Sequence, residues 1–170
     1  IGANGAQVYD AWEKKTIRRA EMNRDEILQF FHAAEHASAI VGCYKGGKAY
    51  MGREDMEKME AYSPGQVLFR MMRRIYLPVE DLKTYLLESG ETVQKLMLFF
   101  ADLEERRQVL EEMKASLLEL SLSSSAINNI EVNAKEANKG AALRFLREYL
   151  NIEREATAAF GDGSNDITML

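Results

Sequence analysis

The stretch from Asn138 to Asp166 constrains the fold more than any other part of the chain. From Asn138 onward, Ala141, Ala142, Phe145, Leu146, Tyr149 and Leu150 recur at helical spacing and make an apolar face. A helix is therefore predicted to Leu150. Ala156–Phe160 follows as a short apolar strand, Gly161-Asp162-Gly163-Ser164-Asn165-Asp166 comes directly after it, and a new helix starts at Ile167. Helix, strand, acidic glycine turn and helix, in that order, form the pattern of an open α/β sheet. Ligands of such sheets bind beyond the carboxyl ends of the strands, which is where Asp162 falls.

The preceding residues alternate strands and helices. Ala6–Asp10 and Thr16–Arg19 flank a polar bend and predict a hairpin. Asn23 with Glu26 has the spacing of a capping box, ahead of a helix to about His36. Ala39–Tyr44 and Lys48–Met51 surround Lys45-Gly46-Gly47, a second hairpin. Arg53–Ala61 is helix-prone and is broken by Ser63-Pro64-Gly65, while Gln66–Tyr76 is ambiguous. Val79–Glu88 predicts a helix closed by Ser89-Gly90, Val93–Phe100 a strand, and Asp102 the cap of a helix through Ala115. Leu117–Leu122 and Asn129–Val132 predict paired strands on either side of Ser123-Ser124-Ser125.

Composition narrows the class of function. At 170 residues the chain is long enough for one good core or two small ones. A net charge of −5 argues against non-specific nucleic-acid binding, which needs a basic surface. The longest apolar run, Leu96 to Ala101, is far too short to span a bilayer, so no membrane partner is expected. Ile1–Tyr9 has neither the basic start nor the apolar segment of a signal peptide. The single cysteine, Cys43, has no partner for an internal disulfide, which fits a reducing cytoplasm. The chain starts at Ile1 inside a predicted strand and stops at Leu170 one turn into a predicted helix, so a piece of a longer protein is expected.

The acidic turn carries the strongest chemical signal. Gly161 and Gly163 let the backbone turn sharply and leave room for a ligand close to the main chain. The carboxylates of Asp162 and Asp166 and the amide of Asn165 offer hard oxygen donors, which suit Mg²⁺ better than zinc or copper. The plainer alternative is a turn in which Asn165 or Asp166 merely caps the next helix. Lys139 adds a second signal, because an ammonium at a helix N-terminus opposes the helix dipole unless an anion is bound there. Its alternative is a solvated surface lysine.

Asn138-Lys139-Gly140-Ala141-Ala142-Leu143, followed by Ala159-Phe160-Gly161-Asp162-Gly163-Ser164-Asn165-Asp166-Ile167-Thr168-Met169-Leu170, closely resembles motifs three and four of the Cof-type haloacid dehalogenase-like hydrolases. Asn4-Gly5-Ala6-Gln7-Val8-Tyr9-Asp10 resembles the strand by which that family leaves its core for the cap, and Asn129-Ile130-Glu131-Val132 the strand leading back. The resemblance implies an α/β fold: a partial Rossmann-like core with an inserted α+β cap domain (type IIB). Residues 1–20 and 134–170 would be core segments and 21–133 the cap that chooses the substrate. It implies a Mg²⁺-dependent phosphatase acting on small phosphorylated metabolites, sugar phosphates among them, through an aspartyl-phosphate intermediate. Lys139 would be catalytic, holding nucleophile and phosphate oxygens. Asp162 would ligate the metal, with Asn165 and Asp166 completing or orienting its shell, and Asn4 would lie near the substrate. Arg70, Arg73, Arg74, Lys45 and Lys48 are candidate cap contacts to an anionic substrate.

The sequence departs from the family's pattern in one respect: it contains no Asp-x-Asp-Gly-Thr element, and so neither the nucleophile nor the acid/base. The 170 residues alone are therefore expected to be inactive. A phosphosugar mutase on the same scaffold and a non-catalytic cap or binding fragment stay open as alternatives. His32-Ala33-Ala34-Glu35-His36 matches the pattern of inverted zinc peptidases, but no third ligand is evident and a plain helix end accounts for it.

Overall fold

The computed structural model describes residues 1–170. A hairpin of β1 (Gln7–Asp10) and β2 (Lys15–Arg19) opens the chain. Asn23 then starts α1 (Arg24–Ala33) with a complete capping box: its Oδ1 accepts from the amides of Asp25 and Glu26 at 2.9 and 3.1 Å, and Glu26 accepts from the Asn23 amide at 2.7 Å. The second hairpin is β3 (Ala39–Lys45) and β4 (Lys48–Gly52), turned by Gly46 and Gly47 at φ 58° and 75°. Short α2 (Arg53–Lys58) follows, and the ambiguous stretch resolves as α3 (Gln66–Ile75) running directly into β5 (Tyr76–Val79). Then come α4 (Leu82–Ser89), β6 (Lys95–Phe100), α5 (Leu103–Ser116), β7 (Leu120–Ser123), β8 (Asn129–Ala134) and α6 (Lys139–Leu150).

Six of these strands form one sheet in the order β5-β4-β3-β6-β8-β7, antiparallel throughout except between β4 and β5. Pro78 sits in β5, an edge strand, the position in a sheet where a residue without an N–H is tolerated. Side chains alternate across a sheet, and β6 shows the consequence. Leu96, Leu98 and Phe100 face α1, α4 and α5, joining Ile27, Phe30, Leu86 and Met113 in the larger core cluster. Met97 and Phe99 face the other way, packing with Met51, Met59, Met72 and Tyr76 below α2 and α3. Burying a side chain of this size contributes about 1.5–3 kcal/mol, which is why the apolar periodicity dictates both faces.

The register carries that alternation into β8. Leu96 pairs with Val132 and Leu98 with Ile130, so both β8 residues belong to the larger core. Met97 pairs with Glu131, and the second face of β8 is polar: Asn129, Glu131 and Asn133. All three are nevertheless buried.

The β1–β2 hairpin, a 3-10 turn at Ala3–Gly5, α6 and a 3-10 turn at Ser164–Met169 lie together beside this polar face. Arg18 fastens the arrangement, donating to the carbonyls of Gly5 at 2.5 Å and Glu136 at 2.7 Å. Met22 and Val93 exchange backbone hydrogen bonds of 2.7 and 3.0 Å, joining the end of the hairpin to the approach of β6. Gly5, at φ 97°, approaches α6 so closely that a Cβ there would stand 2.3 Å from the Asn138 carbonyl oxygen.

Several sequence expectations are corrected in detail. The strand predicted at Ala156–Phe160 does not form: Arg154–Ala156 is a 3-10 turn and the residues to Phe160 are irregular, with no strand alongside to accept their backbone hydrogen bonds. The helix expected at Ile167 is the 3-10 turn Ser164–Met169 instead. The first helix stops at Ala33 rather than His36, and β7 begins at Leu120 rather than Leu117. No helix is long and apolar enough to cross a membrane.

Candidate active site

Lys139 is the first helical residue of α6, and Asn138 caps it by accepting from the Ala141 amide at 2.8 Å. The acidic turn folds back onto this helix end. Gly140 makes that approach possible: a Cβ in its place would lie 1.9 Å from the Thr168 carbonyl oxygen, and its amide donates to Thr168 Oγ1 at 3.0 Å. Lys139 Nζ thereby reaches Asp166 Oδ1 at 2.5 Å and Asn165 Oδ1 at 3.2 Å. Asp166 Oδ2 accepts from the amides of Asp162 and Gly163 at 3.2 and 3.0 Å. A Cβ on Gly161 would collide with the Asp166 side chain at 2.3 Å, so the glycine is what lets the carboxylate fold over its own turn.

These partners divide the labour between the two aspartates. Both oxygens of buried Asp166 are engaged, and the Lys139 ammonium, followed by the Gly163 amide, holds its carboxyl below the usual carboxylate range. Asp166 thus orients Lys139 and ties down the turn. The Asp162 side chain is exposed beside it. Asp162, Asn165, Asp166 and Lys139 share a cleft of ≈ 530 Å³ with the Ser124–Ile127 loop that follows β7. The donor set is of the kind Mg²⁺ takes: an exposed carboxylate, an amide oxygen and a second carboxylate, with no thiol or imidazole. No group of three or more His, Cys, Asp or Glu side chains converges on one point, so further oxygens must complete any shell.

Asn4 lies on the other side of Lys139. Asn4, Lys95 and Lys139 line a second cavity of ≈ 370 Å³. The Asn4 backbone is left-handed (φ 60°, ψ 22°), a conformation that asparagine tolerates better than most residues. Its Oδ1 accepts from Asn165 Nδ2 at 3.3 Å, and its Nδ2 reaches Glu131 Oε2 at 2.7 Å, Asn133 Oδ1 at 3.1 Å and Ser123 Oγ at 3.2 Å. Burial pushes the Glu131 carboxyl up. The Lys95 charge and the hydrogen bonds from Ser125, Asn4 and Lys95 more than offset it, so the group stays below its ordinary value.

The structure therefore brings Asn4, Lys139, Asp162, Asn165 and Asp166 together from opposite ends of the chain. It does not bring in the other cationic candidates. Arg70, Arg73 and Arg74 are exposed on α3, which leads into β5, at the sheet edge opposite β7. Lys48 is exposed at the β3–β4 turn, and Lys45 is buried in an ion pair with Glu91, over the Tyr85 ring. His32 and His36 are exposed, and His32 meets only Glu35, at 3.6 Å. Sequence reasoning missed Lys95, Glu131 and Asn133. For Glu131 and Asn133 the signal was the polar period of two in Asn129-Ile130-Glu131-Val132-Asn133, which without a tertiary structure resembles an ordinary solvated face; Lys95 carried none.

The chain matches the profile of haloacid dehalogenase-like hydrolases over residues 1–170. It is 40% identical over 82 residues to the 5-amino-6-(5-phospho-D-ribitylamino)uracil phosphatase YcsE of Bacillus subtilis, a match covering 46% of this chain and 32% of that protein. Among solved structures, a haloacid dehalogenase-like hydrolase from B. subtilis superposes with a TM-score of 0.77 at 23% identity, covering 98% of this chain and 63% of that one. The HAD subclass IIB sugar phosphatase BT4131 superposes at 0.70 with 19% identity, covering 98% and 58%. These two likenesses are of fold. The chain spans about three fifths of the length of either structure.

Proposed function

The chain belongs to the haloacid dehalogenase-like hydrolases, and from that premise we propose that it is the cap and acidic-turn portion of a Mg²⁺-dependent phosphatase for small phosphorylated metabolites, sugar phosphates in particular. The observation that carries this reading is the Lys139–Asp166 pair set beside the exposed Asp162 carboxylate at one helix end. A phosphoryl group brings negative charge, and transferring it requires fixed cations and oriented donors more than covalent chemistry from most of the site.

Each residue has a part in that scheme. Lys139 presents its ammonium at the N-terminus of α6, where the positive end of the helix dipole adds to the field that attracts an anion. Asp166 holds the ammonium in place and clamps the turn through the Asp162 and Gly163 amides. Asp162, with Asn165 beside it, would hold Mg²⁺. The metal when bound would neutralise charge on the phosphate that otherwise repels an attacking carboxylate. The attacking group is proposed to be the first aspartate of an Asp-x-Asp element outside these residues, forming an aspartyl-phosphate that water then hydrolyses. Residues 21–133 are proposed to be the cap that closes over the site and selects the substrate, with 1–20 and 134–170 contributing to the core.

The test is phosphate release from a panel of sugar phosphates by the protein carrying its nucleophile strand, with and without chelator. Hydrolysis that needs Mg²⁺ is expected. Hydrolysis untouched by chelator, or equal for the parent and an Asp162→Ala variant, would sink the proposal.

A further inference from the structure

Burying a carboxylate is costly unless opposite charge and hydrogen bonds compensate for it, and replacing a buried ion pair with apolar residues is often neutral or stabilising. The Glu131–Lys95 pair is therefore poorly explained by stability alone. Glu131 is 1% exposed, and four side chains donate to it: Lys95 Nζ at 2.9 Å, Ser125 Oγ at 2.6 Å and Asn129 Nδ2 at 3.4 Å to Oε1, and Asn4 Nδ2 at 2.7 Å to Oε2.

An ionised carboxylate only accepts hydrogen bonds, whereas a primary amide has one donating end and one accepting end. Glu131 thus obliges Asn4 to turn Nδ2 toward β8 and leaves Asn4 Oδ1 facing the acidic turn. There Oδ1 accepts from Asn165 Nδ2 at 3.3 Å, which in turn leaves Asn165 Oδ1 toward Lys139 Nζ at 3.2 Å. Asn133 reinforces the first step: its Nδ2 donates to the carbonyls of Ala3 and Gln94 at 3.1 and 2.8 Å, so its Oδ1 also faces Asn4 Nδ2. We infer that Glu131, charge-balanced by Lys95, is a positioning residue that sets the polarity of the Asn4 and Asn165 amides in series, so that an oxygen rather than an NH₂ group faces Lys139.

The relay runs from strand β8 to the candidate metal turn, across residues separated by 127 and 161 positions in the chain. A reversed Asn165 would point NH₂ hydrogens at an ammonium and withdraw an oxygen donor from the cation site. The chemistry served by the relay rests on the phosphatase reading; the relay itself is a property of the hydrogen bonds.

Two measurements test it separately. In the ¹⁵N-labelled chain, Glu131→Gln is expected to shift or split the side-chain Nδ2H₂ resonances of Asn165, which Glu131 does not touch, while Ile130→Val on the same strand leaves them in place. Unchanged Asn165 resonances in a folded Glu131→Gln variant would overturn the inference. In the protein carrying its nucleophile strand, Glu131→Gln is expected to raise the Mg²⁺ concentration for half-activation about tenfold, with substrate KM at saturating Mg²⁺ moving less than about twofold, since loss of one oriented contact acts at the metal turn and not on uniform substrate binding. Asn4→Asp, which sets a carboxylate against Glu131, should be worse, and Asn4→Asp/Glu131→Gln should recover part of that loss; losses that simply multiply would contradict the relay. A parent protein with no metal-dependent hydrolysis would remove the phosphatase reading and leave the resonances to decide the relay. Should Glu131→Gln fail to fold, the Asn165 resonances of Lys95→Met, which strips the charge balance from Glu131, decide in its place: shifted supports the relay and unmoved overturns it.

Discussion

Lys139 Nζ lies 2.5 Å from Asp166 Oδ1, joining residues 27 positions apart at the N-terminus of α6. The pair exists because the turn Ser164–Met169 presses against Gly140, the residue next to Lys139. A cation at a helix N-terminus opposes the helix dipole, so the site stores unfavourable electrostatics that the Asp166 carboxylate relieves. Removing either partner leaves the other partly buried charge uncompensated.

Gly140→Ala should separate the turn from the helix, because the added methyl would meet the Thr168 carbonyl oxygen at 1.9 Å. Overpacking of this kind costs about 1–3 kcal/mol. Urea unfolding is expected to show that loss, whereas Gly2→Ala, with no atom within 4 Å of the added group, should sit near the parent. Equal midpoints for the two variants would refute the close approach.

The Lys139–Asp166 pair should impose a pH dependence on stability. Asp166 is held below its ordinary value of 3.8 by Lys139 and by the Gly163 amide. A carboxyl with a depressed folded-state pKa contributes stability that is present above 3.8 and is lost as pH falls through the lower folded value. Asp166→Asn is therefore expected to lower Tm at pH 7, with the gap to the parent narrowing steadily below pH 3.8. A gap independent of pH would show that the carboxylate charge is not what matters.

In the protein carrying its nucleophile strand, Asp162→Ala should abolish Mg²⁺-dependent hydrolysis. Lys139→Ala should reduce kcat by about a hundred- to a thousandfold, the effect of losing one preorganised electrostatic contact. His32→Ala should leave kcat near the parent value, since His32 is exposed and meets only Glu35. The three are compared at saturating Mg²⁺ with folding checked by circular dichroism. A dead His32 variant beside a working Asp162 variant would end the phosphatase reading.

The 170 residues on their own are expected to hydrolyse p-nitrophenyl phosphate no faster than buffer, because the sequence contains no Asp-x-Asp-Gly-Thr element to attack phosphorus. Mg²⁺-dependent turnover that survives repurification would place a nucleophile among the residues present.

Local chemistry made much of this protein legible from its sequence. The Asn23 capping box and the Gly46-Gly47 hairpin are decided within a few residues and form where they were expected, and α6 starts within one residue of the expected Asn138. The continuous apolar run of β6, Leu96 to Phe100, specified two buried faces. Lys139, Asp162, Asn165 and Asp166 stand out because their residue types suit a metal and an anion and their order resembles two motifs of a known family. Other features depended on partners distant in sequence. Ala156–Phe160 has strand composition but remains irregular, since a strand is completed by a neighbour's hydrogen bonds and not by its own residues. Asn129, Glu131 and Asn133 have the pattern of a wet face, yet all three are buried: Asn4, some 130 residues earlier, bonds Glu131 and Asn133, and the Ser124–Ala126 loop closes over Asn129. Sequence alone determined which side chains could do chemistry; only the tertiary structure decided which way their amides and charges point, because hydrogen-bond polarity is set by the acceptor across the gap rather than by the chain that carries the donor.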